Sequence, residues 1–323
     1  MKFQKFSSIE NSYRVKFLNL VKEHGLSGGE FIVQEKVHGA NFSFWCDGTH
    51  VQCAKRSAFL KGEELNKFYN AVEVQRRYYE QIMQAWTYLS EKFGAETITL
   101  YGELMGGTYP HPDVKKVKNA AKVQSGVFYC PQNEFFGFDI KVNGQYLNLD
   151  EAMSVYQKFG FFYAKTLFKG SLEQCLEYPK NFQTTVPSLF GLPEIENNFA
   201  EGVVIKPVDA KFLPSGSRVI LKNKIEKFSE KGKEKAAKTD KPALNEKALN
   251  YLNEILSLIN ENRLRNVLSK MGPITNKDFG KVMKNFTADY MEDFLKDSEF
   301  DNDLEKEDRK RVSKLATNAA ASM

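Results

Sequence analysis

The chain has 323 residues, of which 42% are hydrophobic, 13% aromatic and 27% charged, and its formal net charge is +5. This composition excludes a disordered or collagen-like chain and supports a well-filled core. The sequence has no run of eighteen apolar residues and no apolar leader, which predicts a soluble, cytoplasmic protein with no membrane partner. Because the four cysteines show no CxxC spacing, we expect reduced core residues rather than zinc ligands or disulfides.

Strand-like and helix-like patterns alternate over the first two thirds of the chain. The first half begins with a helix over 10–24, strands over 30–37 and 41–46, the return strand "THVQCAKR" and a helical stretch over 63–93. The strand "ETITLYGEL", a basic loop over 109–123 and the strand "FFGFDIKV" follow. Short helices over 150–159 and 171–177 then lead to the strands "GVVIK" and "RVILKNK". Asp47-Gly48 and Asn143-Gly144 are typical of two-residue hairpin turns. The mixture predicts an α+β domain with antiparallel sheets over residues 1–228.

The pattern changes after about residue 229, where strand signals stop. Residues 222–241 contain eight lysines and four acidic residues, and we interpret 229–242 as a lysine-rich linker. Apolar residues then recur at helical spacing. The predicted helices are 244–270, 276–286, 288–297 and 302–320. A small all-helical domain is therefore expected over residues 243–323.

A lysine, Lys36, lies in the otherwise apolar strand pattern that runs into "EKVHGANF". With a two-residue turn at Asp47-Gly48, Arg56 would lie opposite Gly39. The side chains that this register brings together are those of Lys36, His38, Asn41 and Arg56. Amino, guanidinium and amide groups beside a glycine suit a phosphorylated ligand. Taken alone, a surface lysine at a strand end is the alternative interpretation.

Further candidate site residues, an aromatic ring among charged side chains, lie in the later strands. They are Glu103 in "YGEL", Phe138 and Asp139 in "FFGFDI", Glu201 in "EGVVIKP", and Lys222 and Lys224 on one face of "RVILKNK". Each has an ordinary structural explanation, because carboxylates at strand ends often cap turns and paired lysines often solvate a sheet edge.

In this order, the motifs "EKVHGANF", "CAKR", "YGEL", "FFGFDI", "EGVVIKP" and "RVILKNKIEKFSEK" resemble those of the covalent nucleotidyltransferases, and within them the RNA ligase 2 family. The segment "LSKMGPITNKDFGKVM" is similar to the C-terminal domain of the phage members. The resemblance implies a nucleotidyltransferase domain (an ATP-grasp-like ligase fold). It also implies an ATP-dependent RNA ligase that seals 3′-hydroxyl and 5′-phosphate ends, in particular nicks in duplex RNA, through lysyl-AMP and RNA-adenylate. We expect the enzyme to act as a monomer.

The family's motifs imply a role for each of these residues. Lys36 would be the nucleophile, and His38, Lys222 and Lys224 would take part in catalysis. The implied nucleotide-binding residues are Glu35, Val37, Asn41, Arg56, Glu103, Phe138, Lys206, Lys222 and Lys224. Among them, Glu35 and Val37 would contact adenine and Phe138 would stack on it. Asn41, Arg56 and Glu103 would hold the ribose and the 5′-phosphate end, and Lys206 would contact a phosphate. Glu201 and Asp139 are the implied ligands of Mg²⁺ (or Mn²⁺). In the helical domain we expect RNA phosphates to contact a basic face formed by Arg263, Arg265, Lys270, Lys277, Lys281 and Lys284.

Two other functions are compatible with parts of this pattern. A DNA ligase or an mRNA capping guanylyltransferase could use the same fold, but those enzymes have Asp-Gly where this chain has His38-Gly39. A non-catalytic RNA-binding module would not need the whole set of lysines and carboxylates that the motifs retain. Both comparisons favour the RNA ligase.

Overall fold

The computed structural model describes residues 1–229 and 244–323. The chain divides into two compact units, Met1–Ile225 and Glu226–Met323. Most of the predicted linker, from residue 230 onward, lies outside the described residues. None of the helices in the described ranges combines the length and the apolar character that crossing a membrane requires.

The first unit combines strands and helices in the alternating order that the sequence predicts. Its strands are β1 Glu10–Asn11, β2 Phe31–Glu35, β3 Ala40–Cys46, β4 Val51–Lys55, β5 Ala58–Phe59, β6 Ile98–Gly106, β7 Asn133–Val142, β8 Gln145–Tyr146, β9 Thr166–Gly170, β10 Gly202–Pro207 and β11 Leu221–Lys224. Its helices are α1 Val15–Glu23, α2 Glu63–Lys67, α3 Ala71–Phe93, α4 Leu149–Lys158, α5 Leu172–Leu176 and α6 Val186–Leu189. The prediction of an α+β fold with antiparallel sheets is confirmed.

Five strands form the first sheet, in the order β1-β11-β10-β2-β9. All neighbours in it are antiparallel except β1 and β11. The outer face carries Val33 and Val203, which pack against Phe17 of α1 and Leu172 of α5. Because alternate residues of a strand point to opposite faces, Val204 lies on the inner face. There it contacts side chains of the second sheet.

Six antiparallel strands form the second sheet, in the order β5-β4-β3-β6-β7-β8. Phe42 and Phe44 are buried on its outer face in the cluster that includes Tyr78 of α3. Each fully buried aromatic ring of this kind contributes about 1.5–3 kcal/mol. Trp45 and Tyr101 lie on the inner face, in one cluster with residues of the first sheet. The two sheets therefore face each other across a shared interior.

The hairpin predicted at Asp47-Gly48 has a different register from the one expected. Cys46 pairs with Val51 rather than with Thr49, so the loop contains four residues. A two-residue type I′ turn needs positive φ at both central positions, and only Gly48 has it, at +84°. The Asp47 carboxylate instead accepts hydrogen bonds from the backbone of the two residues before the return strand. The slip is of two positions, so every side chain keeps its predicted face.

The second predicted two-residue turn is confirmed. Asn143 and Gly144 both have positive φ, at +48° and +82°. Val142 pairs directly with Gln145 across this turn. A predicted start at residue 10 for α1 was wrong, because Glu10 pairs with Leu221 as part of β1 and the helix begins at Val15.

The second unit is helical over its described residues. Its α-helices are α7 Glu246–Leu258, α8 Glu261–Met271, α9 Phe279–Asp297, α10 Phe300–Asp303 and α11 Lys306–Ala321. Leu252, Phe286, Tyr290 and Val312 are among its buried core residues. The predicted helix over 244–270 is divided at Asn260, whose side chain caps α8 by accepting from Arg263 N. The predicted helices 276–286 and 288–297 form the single helix α9.

One member of the predicted basic face is not on the surface. Arg263 is only 1% exposed, and its guanidinium lies 2.8 Å from carboxylate oxygens of both Asp289 and Asp293. Lys270 also pairs with Asp289, at 3.1 Å. Arg263 therefore joins α8 to α9 inside the unit and cannot contact RNA in this arrangement. Lys277, Lys281 and Lys284 are exposed.

Candidate active site

Lys36 lies where the chain crosses from the first sheet to the second. β2 ends at Glu35 and β3 begins at Ala40, and these strands belong to different sheets. The lysine is therefore in a crossover and not in a hairpin turn. Its backbone N–H donates to the carbonyl of Gly202, at 2.9 Å. Its side chain is 17% exposed, so the amino group is held at the junction of the sheets while retaining access to solvent.

One buried carboxylate gathers the basic groups of the site. Glu201 precedes β10 and is 1% exposed. Its Oε2 lies 2.8 Å from Lys36 Nζ and 3.3 Å from His38 Nδ1, and its Oε1 lies 2.8 Å from Lys224 Nζ. Burial alone would raise the pKa of Glu201, but the neighbouring Lys224, Lys36 and His38 outweigh it and hold that pKa well below its usual range. Glu201 is thus an anion that fixes two ammonium groups.

The surroundings of Glu201 are compatible with a divalent cation. Oε1 is buried and accepts no hydrogen bond of normal geometry from the described residues, although Lys224 Nζ is close to it. Among those residues, no group of three or more acidic, histidine or cysteine side chains could hold a metal. Mg²⁺ commonly takes one or two carboxylates and completes its shell with water and substrate phosphates. Glu201 suits that kind of binding.

Asn41 and Glu103 face each other across β3 and β6. Both lie on the inner face of the second sheet, next to the crossover. A Cβ at Gly39 would lie 2.5 Å from the carbonyl oxygen of Leu104 and 3.3 Å from a carboxylate oxygen of Glu103. Glycine is therefore needed at position 39 because the crossover passes close over β6, and not because of a left-handed turn. This close approach places an amide and a carboxylate beside the crossover that contains Lys36.

Glu35, implied to contact adenine, is held by a different segment. Its carboxylate accepts hydrogen bonds from Thr184 Oγ1, from Thr185 N at 2.8 Å and from Thr185 Oγ1 at 2.7 Å. Burial raises the pKa of Glu35, and the three hydrogen bonds only partly offset that effect. The next implied adenine contact, Val37, is 5% exposed. Adenine recognition by either residue stays a prediction.

Phe138 lies at a bulge in β7. Tyr101 pairs with Asp139 and Gly102 pairs with Gly137, so Phe138 is the extra residue between them. Bulges often redirect a side chain next to a functional site. The ring is half-buried on the inner face, 5.1 Å from the ring centroid of Phe6. Stacking of Phe138 on adenine stays a prediction.

Two implied site residues belong instead to a buried charge cluster between the sheets. Asp139 accepts two hydrogen bonds from Arg218, at 2.9 and 3.0 Å, and lies 3.2 Å from Lys206 Nζ. Lys206 also donates to the carbonyl of Phe138, at 2.6 Å. All three charged side chains are at most 2% exposed. The metal-ligand role for Asp139 and the phosphate contact for Lys206 do not fit this geometry, because their polar atoms are occupied inside the protein.

Lys222 and Lys224 lie on β11 as expected, whereas Arg56, expected in the return strand, comes directly after the end of β4. Lys222 and Lys224 alternate along β11 and so share one face, as predicted. Arg56 follows β4 and donates to the carbonyl oxygens of Phe6, at 2.9 Å, and Ser7, at 3.4 Å. A phosphate contact by Arg56 stays a prediction, and the arginine also ties the N-terminal segment to the second sheet.

Several residues that support the crossover containing Lys36 were not predicted from the sequence. Tyr129 is fully buried, and its hydroxyl accepts a hydrogen bond from the backbone N–H of His38, at 2.8 Å. The side-chain amide of Asn198 exchanges two hydrogen bonds with the backbone of Phe128, at 2.9 and 2.7 Å. The backbone carbonyl of Asn198 accepts a hydrogen bond from Thr184 N. Both flanks of the nucleophile are thereby held: Glu35 by the threonines and His38 by Tyr129.

Comparison with known proteins identifies the family. A model of the family described as RNA ligase matches residues 29–224, and a model described as T4 RNA ligase 2 C-terminal matches residues 242–322. The mitochondrial RNA-editing ligase 2 of Trypanosoma brucei brucei is 28% identical, over 92% of this chain and 84% of that protein. The mitochondrial RNA-editing ligase 1 of the same species is 30% identical, over 84% and 71%.

Solved structures of a Naegleria gruberi RNA ligase are more distant. One, with pyrophosphate, has 18% identity and a TM-score of 0.46, over 70% of this chain and 57% of that chain. A mutant with ATP and Mn has 17% identity and a TM-score of 0.47, over the same shares. The chain spans just over half of the length of these structures. The RNA ligase model covers more than half of the chain, and the chain therefore belongs to the RNA ligase family, with a C-terminal region of the T4 RNA ligase 2 type.

Proposed function

We propose that this RNA ligase seals nicks in duplex RNA, joining a 3′-hydroxyl to a 5′-phosphate through AMP bound covalently to Lys36. The observation that carries the proposal is the contact of Lys36 Nζ with the buried carboxylate of Glu201, whose other oxygen lies beside Lys224. An amine that is fixed in place, partly open to solvent and surrounded by further cations suits attack on a nucleotide phosphate.

In the first step, Lys36 Nζ attacks the α-phosphorus of ATP. A nitrogen–phosphorus bond forms, the bond from the α-phosphorus to the bridging oxygen breaks, and pyrophosphate leaves. The amine must lose its protons to form this phosphoramidate, and free lysine is almost fully protonated near pH 7. Glu201 holds the ammonium form in position, so Lys36 has to leave this carboxylate before it can react.

In the second step, an oxygen of the RNA 5′-phosphate attacks the same phosphorus. The nitrogen–phosphorus bond breaks, the amine of Lys36 takes up again the two protons that it lost in the first step, and the RNA carries AMP on its 5′ end. In the third step the adjacent 3′-hydroxyl attacks the 5′-phosphorus, a phosphodiester forms, and AMP leaves with release of a proton.

Charge stabilisation is the main contribution that the protein can make to such phosphoryl transfers. Lys222 and Lys224 lie on one face of β11 and can neutralise phosphate oxygens. Glu201 would hold Mg²⁺ or Mn²⁺, which supplies Lewis-acid stabilisation of phosphate oxygens when bound. Asn41 and Glu103 would bind the ribose, and their pairing across β3 and β6 supports a shared role.

The helical unit is assigned a separate task in this proposal, the positioning of RNA. The residues proposed for the chemistry all lie before the second unit begins. Three exposed lysines, Lys277, Lys281 and Lys284, lie on or just before the first half of α9 and suit contacts to phosphates. The match to the C-terminal region of T4 RNA ligase 2 supports this assignment.

Incubation with radiolabelled ATP or GTP and Mg²⁺, followed by a denaturing gel, tests the proposal. Label from ATP supports the ligase, label from GTP alone would indicate capping chemistry, and no label would indicate a binding module. Sealing rates on a nicked RNA duplex and on single-stranded RNA then test the proposed substrate. The monomeric state and the cytoplasmic location stay predictions, and the two trypanosome relatives are named as mitochondrial proteins.

A further inference from the structure

A long ordered loop in the first unit carries an unusual share of positive charge. Residues 107–132 join β6 to β7 and form no helix or strand. The loop contains four lysines and a single acidic residue, Asp113, in a chain whose whole net charge is only +5. Loops of this length without secondary structure are uncommon in compact domains and usually have a function.

The loop is fixed to the rest of the unit at several points. Asn133 holds Ala121 through two hydrogen bonds, at 2.8 and 2.6 Å, and Asn70 donates to the carbonyl of Asn119, at 2.6 Å. The hydroxyl of Tyr109 donates to the carbonyl of Pro193. These contacts involve backbone groups of the loop and the hydroxyl of Tyr109. They fix the backbone of the loop without using any of its lysine side chains.

The same loop reaches the nucleophile segment. The side chain of Gln124 donates to the carbonyl of Gly39, at 3.4 Å, and the hydroxyl of Tyr129 accepts from the N–H of His38. Lys122 is two residues from Gln124, so at most about 7 Å separates their Cα atoms. The charged part of the loop therefore begins next to the crossover that contains Lys36.

The four lysines are available to a ligand. Lys115, Lys116, Lys118 and Lys122 are all exposed. Within the described ranges 1–229 and 244–323, no carboxylate oxygen lies within 4.0 Å of any of their ammonium groups. Some other exposed lysines of this unit, such as Lys67, Lys92 and Lys169, pair with acidic side chains. Four exposed cations without a carboxylate partner, on a loop whose backbone is fixed to the unit, fit a polyanionic ligand.

We propose that the lysine loop, residues 107–132, is an RNA-binding surface on which Lys115, Lys116, Lys118 and Lys122 contact phosphates beside the nick. The proposal rests on the proposed function, because it takes RNA as the polyanion. Phosphate contacts position a nucleic acid without reading its sequence, so the loop orients the RNA end toward Lys36 and confers no base preference. All residues of this surface belong to the first unit, Met1–Ile225.

The test uses the full chain with all four loop lysines changed to glutamine. The control variant carries Lys16→Gln, Lys22→Gln, Lys92→Gln and Lys158→Gln, four exposed positions on α1, α3 and α4, which pack on the outer faces of the sheets. Both variants lose the same charge. Binding is measured without ATP, on a nicked RNA duplex with a 5′-hydroxyl at the nick, over a salt series.

We expect the loop variant to bind RNA more weakly, and the slope of log affinity against log salt to fall by about 0.7–0.9 for each phosphate contact removed. The control variant should stay close to the wild type, and replacement of the four loop lysines by arginine should retain binding. If loop and control variants showed the same affinity and slope, the proposal would be wrong.

Formation of lysyl-AMP from ATP, measured without RNA, separates this inference from the proposed function. The loop variant should form the adduct at the wild-type rate, which also shows that its first unit is folded. Failure of the wild type to form the adduct would contradict the proposed function instead. Should the fourfold variant misfold, the double variant Lys116→Gln, Lys118→Gln carries the same test, with about half the change in slope.

Discussion

Lys36 and Glu201 are 165 positions apart in the sequence, yet the ammonium nitrogen of Lys36 lies 2.8 Å from Oε2 of Glu201. The two residues meet because Lys36 leaves the end of β2 and Glu201 precedes β10, and these strands are neighbours in the first sheet. The hydrogen bond from Lys36 N to Gly202 O extends that pairing by one step. Strand pairing therefore fixes the distance between the proposed nucleophile and its carboxylate.

Neutralising Glu201 should impair both chemistry and stability. In Glu201→Gln, the ammonium groups of Lys36 and Lys224 lose their shared anion, and breaking a buried ion pair costs about 3 kcal/mol or more. We expect lysyl-AMP formation to slow by about 100-fold, the scale of losing one preorganised electrostatic group. Rapid-quench adenylation and denaturant unfolding measure the two effects. The exposed Glu194→Gln is the matched control, and equal rates in the two variants would contradict the role of Glu201.

The same variant has a defined pH dependence. The pKa of Glu201 is lower in the folded protein than its ordinary value in the unfolded chain. The ionised carboxylate therefore stabilises the folded protein fully at any pH above the ordinary pKa. This stabilisation is lost as the pH falls through the lower pKa of the folded protein. The difference in unfolding free energy between wild type and Glu201→Gln should therefore be constant from pH 5 to pH 7. It should shrink only under more acidic conditions.

Lys206 should reveal its burial through alkaline pH. Burial lowers its pKa from 10.5 to about 8, against the opposing effect of Asp139. Between these values the unfolded chain binds more protons than the folded one, so stability rises with pH. Relative to Lys206→Met, the wild type should gain on the order of 3 kcal/mol between pH 8 and 10.5. A constant difference for Lys206→Met would mean that the residue is not buried as described.

Tyr129 should act on the position of the nucleophile segment rather than on ATP affinity. Tyr129→Phe leaves the buried N–H of His38 without its acceptor, at a cost of about 1–3 kcal/mol. We expect the rate constant of lysyl-AMP formation to fall about tenfold while the ATP concentration at half-maximal rate stays unchanged. Tyr109→Phe is the control, because it removes a hydroxyl from the same loop that bonds a backbone carbonyl. Equal rates for the two phenylalanine variants would argue against positioning by Tyr129.

Removal of the helical unit should separate adenylation from sealing. A chain ending at Lys233 retains the whole first unit with its own cores, and should still form lysyl-AMP. It should lose most sealing of a 5′-phosphate nick at low salt, and the difference from the full chain should narrow as salt rises, because the full chain has more phosphate contacts to lose. If the truncated chain sealed nicks like the full chain across the salt series, the helical unit would not position RNA.

The sequence predicts the elements and the chemistry better than it predicts the contacts. Motif order and alternation identify the strands that carry Lys36, Glu201 and Lys224, because each follows a short-range pattern. The register after Cys46 was wrong because the Asp47 side chain replaces the expected turn with a longer one, a choice that the dipeptide alone does not reveal.

Contacts between the two sheets were beyond a strand-by-strand prediction. Asp139 and Lys206 resemble strand-end site residues in sequence, but they lie on different sheets and meet Arg218 in the interior. Tyr129 and Asn198 lie in irregular segments without periodicity, so nothing local predicts their hydrogen bonds to the nucleophile's surroundings. The one signal that could have pointed to Tyr129 is that the hydroxyl of a buried tyrosine needs a partner.

Replacing Lys36 should stop the first step and spare the last. Lys36→Ala removes the amine, and Lys36→Arg keeps a cation that stays protonated at any usable pH, so neither should form the AMP adduct. Both should fail to seal a 5′-phosphate nick. Lys36→Ala should still seal a nick whose 5′ end already carries AMP, because the adduct is then bypassed. Comparable sealing of both substrates by Lys36→Ala would show that the chemistry does not pass through this residue.

The most direct measurement is the location of AMP on the protein after incubation with ATP and Mg²⁺, determined by peptide mass spectrometry. We predict AMP on the peptide that contains Lys36, attached to that side chain, and its absence from Lys36→Ala treated in the same way. AMP attached to another lysine, or AMP that persists in Lys36→Ala, would contradict the assignment of the nucleophile.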